Sequence, residues 1–286
     1  MDTVIYLKQR HDLGSNMNKT RRKIAFGMLT VPALTAMTTL TGCNDSDNNK
    51  ISTEEISNED FNQIIRQKLS RELNDDLTAE QLIPFIAEAS FNMTPVTHSI
   101  EKADVLIGFA FGNRPNESGD PNELAQPGPM NEALAASCAE IYRKKPMTMY
   151  VQWEIARFLD SVRYPDIPAK DIVSIEPYWD DKGTLIYLST DGVVQTIVNQ
   201  HFHGDPTTVG SAVVVAHRDH VKRCITTCKM RNIIGFASQE ITLPNWYDEK
   251  SHQPWTRRRA LYVLQDISAQ MMMMAQTNII QAYPNK

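Results

Sequence analysis

The chain has 286 residues, 42% of them apolar, and carries 29 Lys/Arg against 34 Asp/Glu for a net charge of −5. That length supports one sizeable core with an extension, and the acidic balance excludes a nucleic-acid partner, which would need a basic footprint. Internal repeats and long low-complexity segments are not evident in it.

The first recognisable element is a leader. Lys19-Thr20-Arg21-Arg22-Lys23 precedes a stretch from Ile24 to Leu40 without a charged residue, a basic segment followed by an apolar one. The stretch is short for a bilayer span and closes on Leu40-Thr41-Gly42-Cys43, which resembles the bacterial lipobox. Cleavage before Cys43 and lipidation of its thiol are therefore expected, with residues 1–42 as signal peptide and Met17 as an alternative start. The mature chain of 244 residues loses six Lys/Arg and two Asp/Glu, so its charge moves from −5 to −9. Residues 43–52 are polar and read as a tether. Asn44 follows the cysteine, where an Asp would have favoured inner-membrane retention. The expected location is the bacterial cell envelope, with membrane attachment through the lipid and the outer membrane favoured over the inner one.

Residues 53–100 form an expected helical extension. Phe61, Ile64, Ile65, Leu69 and Leu73 recur at helical spacing, and Leu77-Thr78-Ala79-Glu80 opens a second helix through Ile86. From residue 101 the pattern changes to strands alternating with helices. Asp104–Ala110 is an apolar strand, followed by a loop rich in Gly, Pro, Asn and Asp and a helix over 131–143. Met147–Val151 is a second strand leading to a helix over 154–159, and 172–175 is a third, with a helix over 193–200. Residues 212–216 and 233–237 complete five strands, joined by a helix over 219–230 and closed by a long helix over 257–276. This alternation predicts an α/β fold: a Rossmann-like, doubly wound, mainly parallel sheet.

Ligands of such a sheet collect at the carboxyl ends of its strands. The polar residues expected there are Asn113 and Arg114, Asn131, Gln152 and Glu154, and the run His217-Arg218-Asp219-His220 with Arg223. Two imidazoles supply acid-base capacity, Glu154 a second titratable group, and Arg218 and Arg223 guanidinium groups for an anion at a helix start. The bland alternative is a solvated, charged helix start.

Three segments together resemble the YdcF-like domain family, shared with the SanA and ElyC envelope proteins. They are Asp104–Gly108, Ile167–Glu176 and Val213–Arg223, with Thr190–Asn199 between them similar to that family's Thr/Asn-rich helix start. The chain departs from the family at Pro127-Gly128-Pro129-Met130-Asn131, where an Arg is usual. The resemblance implies a Rossmann-like domain acting in the envelope on a phosphorylated, nucleotide-like or lipid-linked ligand, by binding, transfer or hydrolysis. Under it, Glu154, His217 and His220 would be catalytic and Asn131, Gln152, Arg218 and Arg223 would bind the ligand.

Two alternatives stand beside this reading. One is a non-catalytic lipoprotein that binds an envelope partner through the helical extension. The other is a zinc hydrolase using His201, His203 and Asp205 at a strand end, although Pro206 stands where the metallo-β-lactamase fold has a His. No Gly-x-Ser-x-Gly elbow or Gly-x-Gly-x-x-Gly fingerprint calls for a serine nucleophile or a dinucleotide, and no cofactor is expected. Cys224 and Cys228, four apart on a predicted helix, present their thiols on one side, from which either would reach Cys138. Trp153, Trp179, Trp246 and Trp255 are expected in the core or on the rim of a cleft, and the run Met271–Met274 in adaptable core packing.

Overall fold

The computed structural model describes residues 57–284, so the signal peptide, Cys43 and the tether lie outside the described residues. Two packed helices come first. α1 (Asn58–Leu73) starts on Ser57, whose Oγ accepts the Asp60 N–H, and α2 (Asp76–Ser90) starts on Asp75, whose carboxylate accepts the Thr78 N–H. Such caps satisfy amide groups that have no partner within the helix. α1 buries no residue, and α2 buries only Ala79 and Ala89. The extension is fastened at its far end by Lys222, whose ammonium binds the carbonyls of Glu88 and Asn92 and pairs with the Glu88 carboxylate at 2.7 Å. A cation there also complements the negative end of α2.

The remaining elements in chain order are β1 (Thr97–His98), β2 (Val105–Gly108), α3 (Pro129–Lys144), β3 (Met149–Gln152), α4 (Trp153–Ala156), β4 (Ile172–Ile175), β5 (Tyr178–Trp179), β6 (Leu185–Ile186), α5 (Thr190–His201), β7 (Ser211–Val215), α6 (Val221–Met230), β8 (Ile234–Ser238) and α7 (Arg259–Ala282). Six strands form one sheet in the order β1-β8-β7-β2-β3-β4, and every pairing in it is parallel. The fold is thus α/β, a Rossmann-like doubly wound sheet with a small helical extension, as the sequence predicts.

Alternation along the strands builds two cores. Leu106, Val151, Val213 and Phe236 face α3, whose Leu134, Cys138 and Ile141 fill one layer. Ile107, Tyr150, Val214 and Ala216 face α5 and α6, which supply Val194, Ile197, Cys224 and Cys228. This arrangement corrects the expected disulfide. Cys138 lies on one side of the sheet and Cys224 and Cys228 on the other, and all three are buried free thiols. No bridge can pass through a hydrogen-bonded sheet.

Two features were not predicted. β1 adds a sixth strand at the edge, pairing Thr97 with Ala237 and His98 with Ser238. β5 and β6 form a separate antiparallel hairpin, its turn held by Asp180 Oδ1, which accepts the N–H groups of Lys182 and Thr184. The expected helix over 154–159 is shorter, a single turn ending at Ala156. α7 is long but lightly embedded: of its 24 residues only Tyr262, Asp266 and Gln270 are buried. Among the described residues no helix is long and apolar enough to cross a membrane.

Candidate functional site

β2 lies at the point where the winding reverses. The chain leaves it towards β3 and β4 on one side and returns to build β7 and β8 on the other. The connections from the two central strands then run to opposite faces and open a crevice beyond their carboxyl ends. Here the crevice is a cavity of about 250 Å³. Its walls come from the segment after β2 (Ala110–Gly112), from Gln152, Trp153 and Glu154 after β3, and from His220 and Arg223 after β7. Tyr187–Thr190 closes one side, and Gln253, Trp255, Thr256 and Tyr262 close the top.

The segment after β2 is fixed by side chains because its backbone has left the sheet. Gln152 Oε1 accepts the Ala110 N–H at 2.8 Å, and Asn131 Oδ1 accepts the Phe111 N–H at 2.9 Å. The Asn131 amide donates in turn to the carbonyls of Gly112 and Pro127 at 2.6 and 2.5 Å. Asn131 is fully buried and does not line the cavity; it is a clasp for the loop. Gly112 has a φ of +69°, and a Cβ there would come within 2.8 Å of Thr256 Oγ1 and 2.9 Å of Ser251 Oγ. Only glycine permits this turn against the closing segment.

Glu154 is the unusual group. It is 5% exposed, and its Oε2 has no hydrogen-bond partner. Burial pushes its carboxyl up to about 8, so it is protonated at neutral pH. The nearby carboxylate of Glu176 adds to the rise, while Arg157 opposes it from a pairing with Glu176 at 2.8 Å. His220 is buried as deeply, and its Nδ1 makes no hydrogen bond, lying 3.8 Å from Asp266 Oδ1. Burial pushes its imidazole down to about 4, which keeps it neutral. One cavity therefore holds a carboxyl that keeps its proton and an imidazole that stays neutral.

Arg223 spans the cavity wall. Its Nε donates to Asp266 Oδ1 at 2.5 Å, Nη1 to Thr190 Oγ1 at 3.0 Å and Nη2 to the Tyr262 hydroxyl at 3.2 Å. Asp266 also accepts from the Gln270 amide at 2.7 Å. Burial alone would raise the Asp266 carboxyl, but the His220 ring and the Arg223 guanidinium outweigh it and hold the group below its ordinary value. Three of the five guanidinium N–H groups of Arg223 are engaged in these bonds, which leaves two.

Of the residues singled out in the sequence, the structure brings Gln152, Glu154, His220 and Arg223 together on this cavity. His217, Arg218 and Asn131 do not line it. His217 stacks on Phe111 with ring centroids 4.0 Å apart. Its Nδ1 accepts the Asp219 N–H at 3.2 Å, so Nε2 carries the proton and donates to the Trp246 carbonyl at 3.0 Å. With both nitrogens committed and burial pushing it down to about 4, His217 holds the turn after β7. Arg218 points to the outside and pairs with Asp219, which Arg259 and the Tyr247 hydroxyl also bind. Trp153 and Trp255 line the cavity; Trp179 and Trp246 are about half exposed elsewhere.

The chain matches no family model, no curated protein and no solved structure. His201 and His203 sit at the end of α5 and not on a strand end, which corrects the geometry assumed for a zinc site. The Asp205 carboxylate is taken up by the N–H and hydroxyl of Thr207. Among the described residues no group of three or more His, Cys, Asp or Glu side chains is placed to hold a metal ion.

Glu154 and the histidines give stability an opposed dependence on pH. Between its ordinary value of 4.5 and about 8 the folded state holds a proton on Glu154 that the unfolded chain releases. That contribution is full below pH 4.5 and is lost as pH rises to 8. The histidines stay neutral when folded, so theirs is present above pH 6.5 and is lost as pH falls to about 4. Denaturant titrations should show stability falling by about 1.4 kcal/mol per pH unit from pH 6.5 to 8. Glu154→Gln should flatten that limb while leaving the acid limb in place; a limb unchanged in the variant would refute the buried proton.

Proposed function

We propose that the chain is a lipid-anchored protein of the bacterial envelope, held by Cys43, whose Rossmann-like domain binds a small phosphorylated or nucleotide-like ligand in the switch-point cavity and acts on it by acid-base chemistry. The observation that carries this reading is the pairing of Glu154 and His220 in one cavity with Arg223 beside them. A buried carboxyl with an unpartnered oxygen destabilises the fold at alkaline pH and is retained here at the place where doubly wound folds take ligands. Glu154 is assigned as proton donor to the leaving atom, and His220 as proton acceptor. The two remaining N–H groups of Arg223 are assigned to the ligand's anionic group, with Ser189 and Thr190 at the start of α5 beside it. Trp153, Tyr187 and Trp255 offer flat apolar surface for a base or sugar ring.

The lipobox-like run and the similarity to the YdcF-like family support the envelope setting. An acidic mature surface and a tethered position suit a ligand drawn from envelope molecules rather than from nucleic acid.

For the anchor, Cys43→Ser should abolish incorporation of labelled palmitate and move the chain out of the membrane fraction; label retained in the variant would contradict the assignment. For the site, calorimetry of the full chain with inorganic phosphate and a nucleoside monophosphate should show binding by at least one of them that Arg223→Met removes. Glu154→Gln should keep that affinity within about threefold and lower turnover by ~10² or more. Binding that survives Arg223→Met would place the ligand elsewhere.

A further inference from the structure

The switch-point cavity is not closed behind Arg223. Ser189, Thr190 and Arg223 line it and also line the upper end of a second, larger groove of about 670 Å³. This groove runs down α6 from Arg223 to Met230, alongside α7 from Gln265 to Ile280. At 1.5 Å per residue the stretch of α7 is about 22 Å long. Ala269, Met272, Met273, Met230 and Ile280 give the groove wall an apolar stripe, edged by Thr227, Gln265, Ser268 and Gln276. Asp191 and Arg231 on its margin neutralise each other in an ion pair at 2.6 Å. α7 carries no charged side chain after Asp266. The apolar wall continues past Met230, Met273 and Ile280 into a further recess that Phe85 of α2 borders.

A surface of this kind is unusual for a helix that otherwise faces water. Met272 is 67% exposed and Ile280 58%, and neither is compensated by packing within the domain. Methionine is the side chain best able to follow a flexible apolar chain, since it is unbranched and polarisable. The groove begins at a guanidinium with two N–H groups to spare and the amino end of a 12-residue helix, and it ends among methionines. With a guanidinium at one end and an apolar stripe along its length, it suits a single amphiphile.

The geometry points to a lipid-linked ligand: an amphiphile whose anionic head sits at Arg223 at the mouth of the switch-point cavity, and whose one apolar tail lies along α7 over Ala269, Met272 and Met273. This rests on the function proposed above and narrows its ligand class. It also gives Arg223 a second role, as the point where the headgroup passes from groove to cavity.

Octyl phosphate, inorganic phosphate and octyl glucoside, each below any micelle-forming concentration, test it by calorimetry on the full chain. Each methylene withdrawn from water is worth about fourfold in affinity. Octyl phosphate should therefore bind at least ~100-fold tighter than inorganic phosphate, and tighter than octyl glucoside, which shares the tail and lacks the charge. Ala269→Phe, which fills the groove without touching the head contacts, should weaken octyl phosphate by about tenfold or more and leave inorganic phosphate unchanged. Met273→Gln should do the same through polarity alone. Equal affinity for octyl phosphate and inorganic phosphate would overturn the groove assignment while leaving the anion site intact. Octyl glucoside binding as tightly as octyl phosphate would overturn the headgroup at Arg223. Failure of all three to bind would overturn both this inference and the anion site on which it rests.

Discussion

The closing helix is held to the domain by a carboxylate. α7 buries no aliphatic side chain, and its three buried residues, Tyr262, Asp266 and Gln270, are polar and linked to one another through Asp266. Asp266 receives Arg223 from α6 at 2.5 Å, and Arg223 reaches on to Thr190 at the start of α5. Three helices thus meet on one buried ion pair. Removing one partner of such a pair costs about 3–5 kcal/mol, because the other charge is left without compensation. The same pair positions the lid of the switch-point cavity and the head of the groove beside it, so the shape of both depends on it.

Asp266 and Glu154 show how environment separates two chemically similar groups. Each is buried near the same cavity, but Asp266 is surrounded by Arg223, the Tyr262 hydroxyl and the Gln270 amide and stays ionised. Glu154 has an Oε2 with no partner and keeps its proton to about pH 8. The carboxylate used for architecture is given charged and polar donors, whereas at Glu154 burial outweighs the donors it has. His220 stands between the two roles: it borders the Asp266 network at 3.8 Å, and its Nδ1 remains unbonded.

Much of the fold was legible because apolar runs bounded by glycine, proline and polar clusters mark strands buried on both faces. Val105–Gly108 and Ser211–Val215 are of that kind. β1 was not legible, since two residues carry no period and its pairing depends on a strand 140 positions away. The disulfide expectation failed for a related reason: helical spacing shows that Cys224 and Cys228 share a face but not which side of the sheet that face covers. In the site, the rule that ligands gather at strand ends located Gln152, Glu154, His220 and Arg223. It could not say which way a side chain turns beyond the strand ends, so Asn131 at the start of α3 and His217 after β7, both committed to backbone groups, were indistinguishable from their neighbours. Trp255, expected in the core or on a cleft rim, lines the cavity, but Tyr262 beside it and Asp266 behind Arg223 were missed because nothing local marks residues that come to the site from the far end of the chain.

The account depends most on Glu154 holding a proton at neutral pH. Infrared difference spectra between the wild-type chain and Glu154→Gln, recorded across pH, report that proton as the carbonyl stretch of an un-ionised carboxylic acid. The band should be present at pH 7 and disappear around pH 8. Its absence at pH 6 and above would show an ionised, solvated carboxylate and contradict the assignment of the switch-point cavity as the functional site.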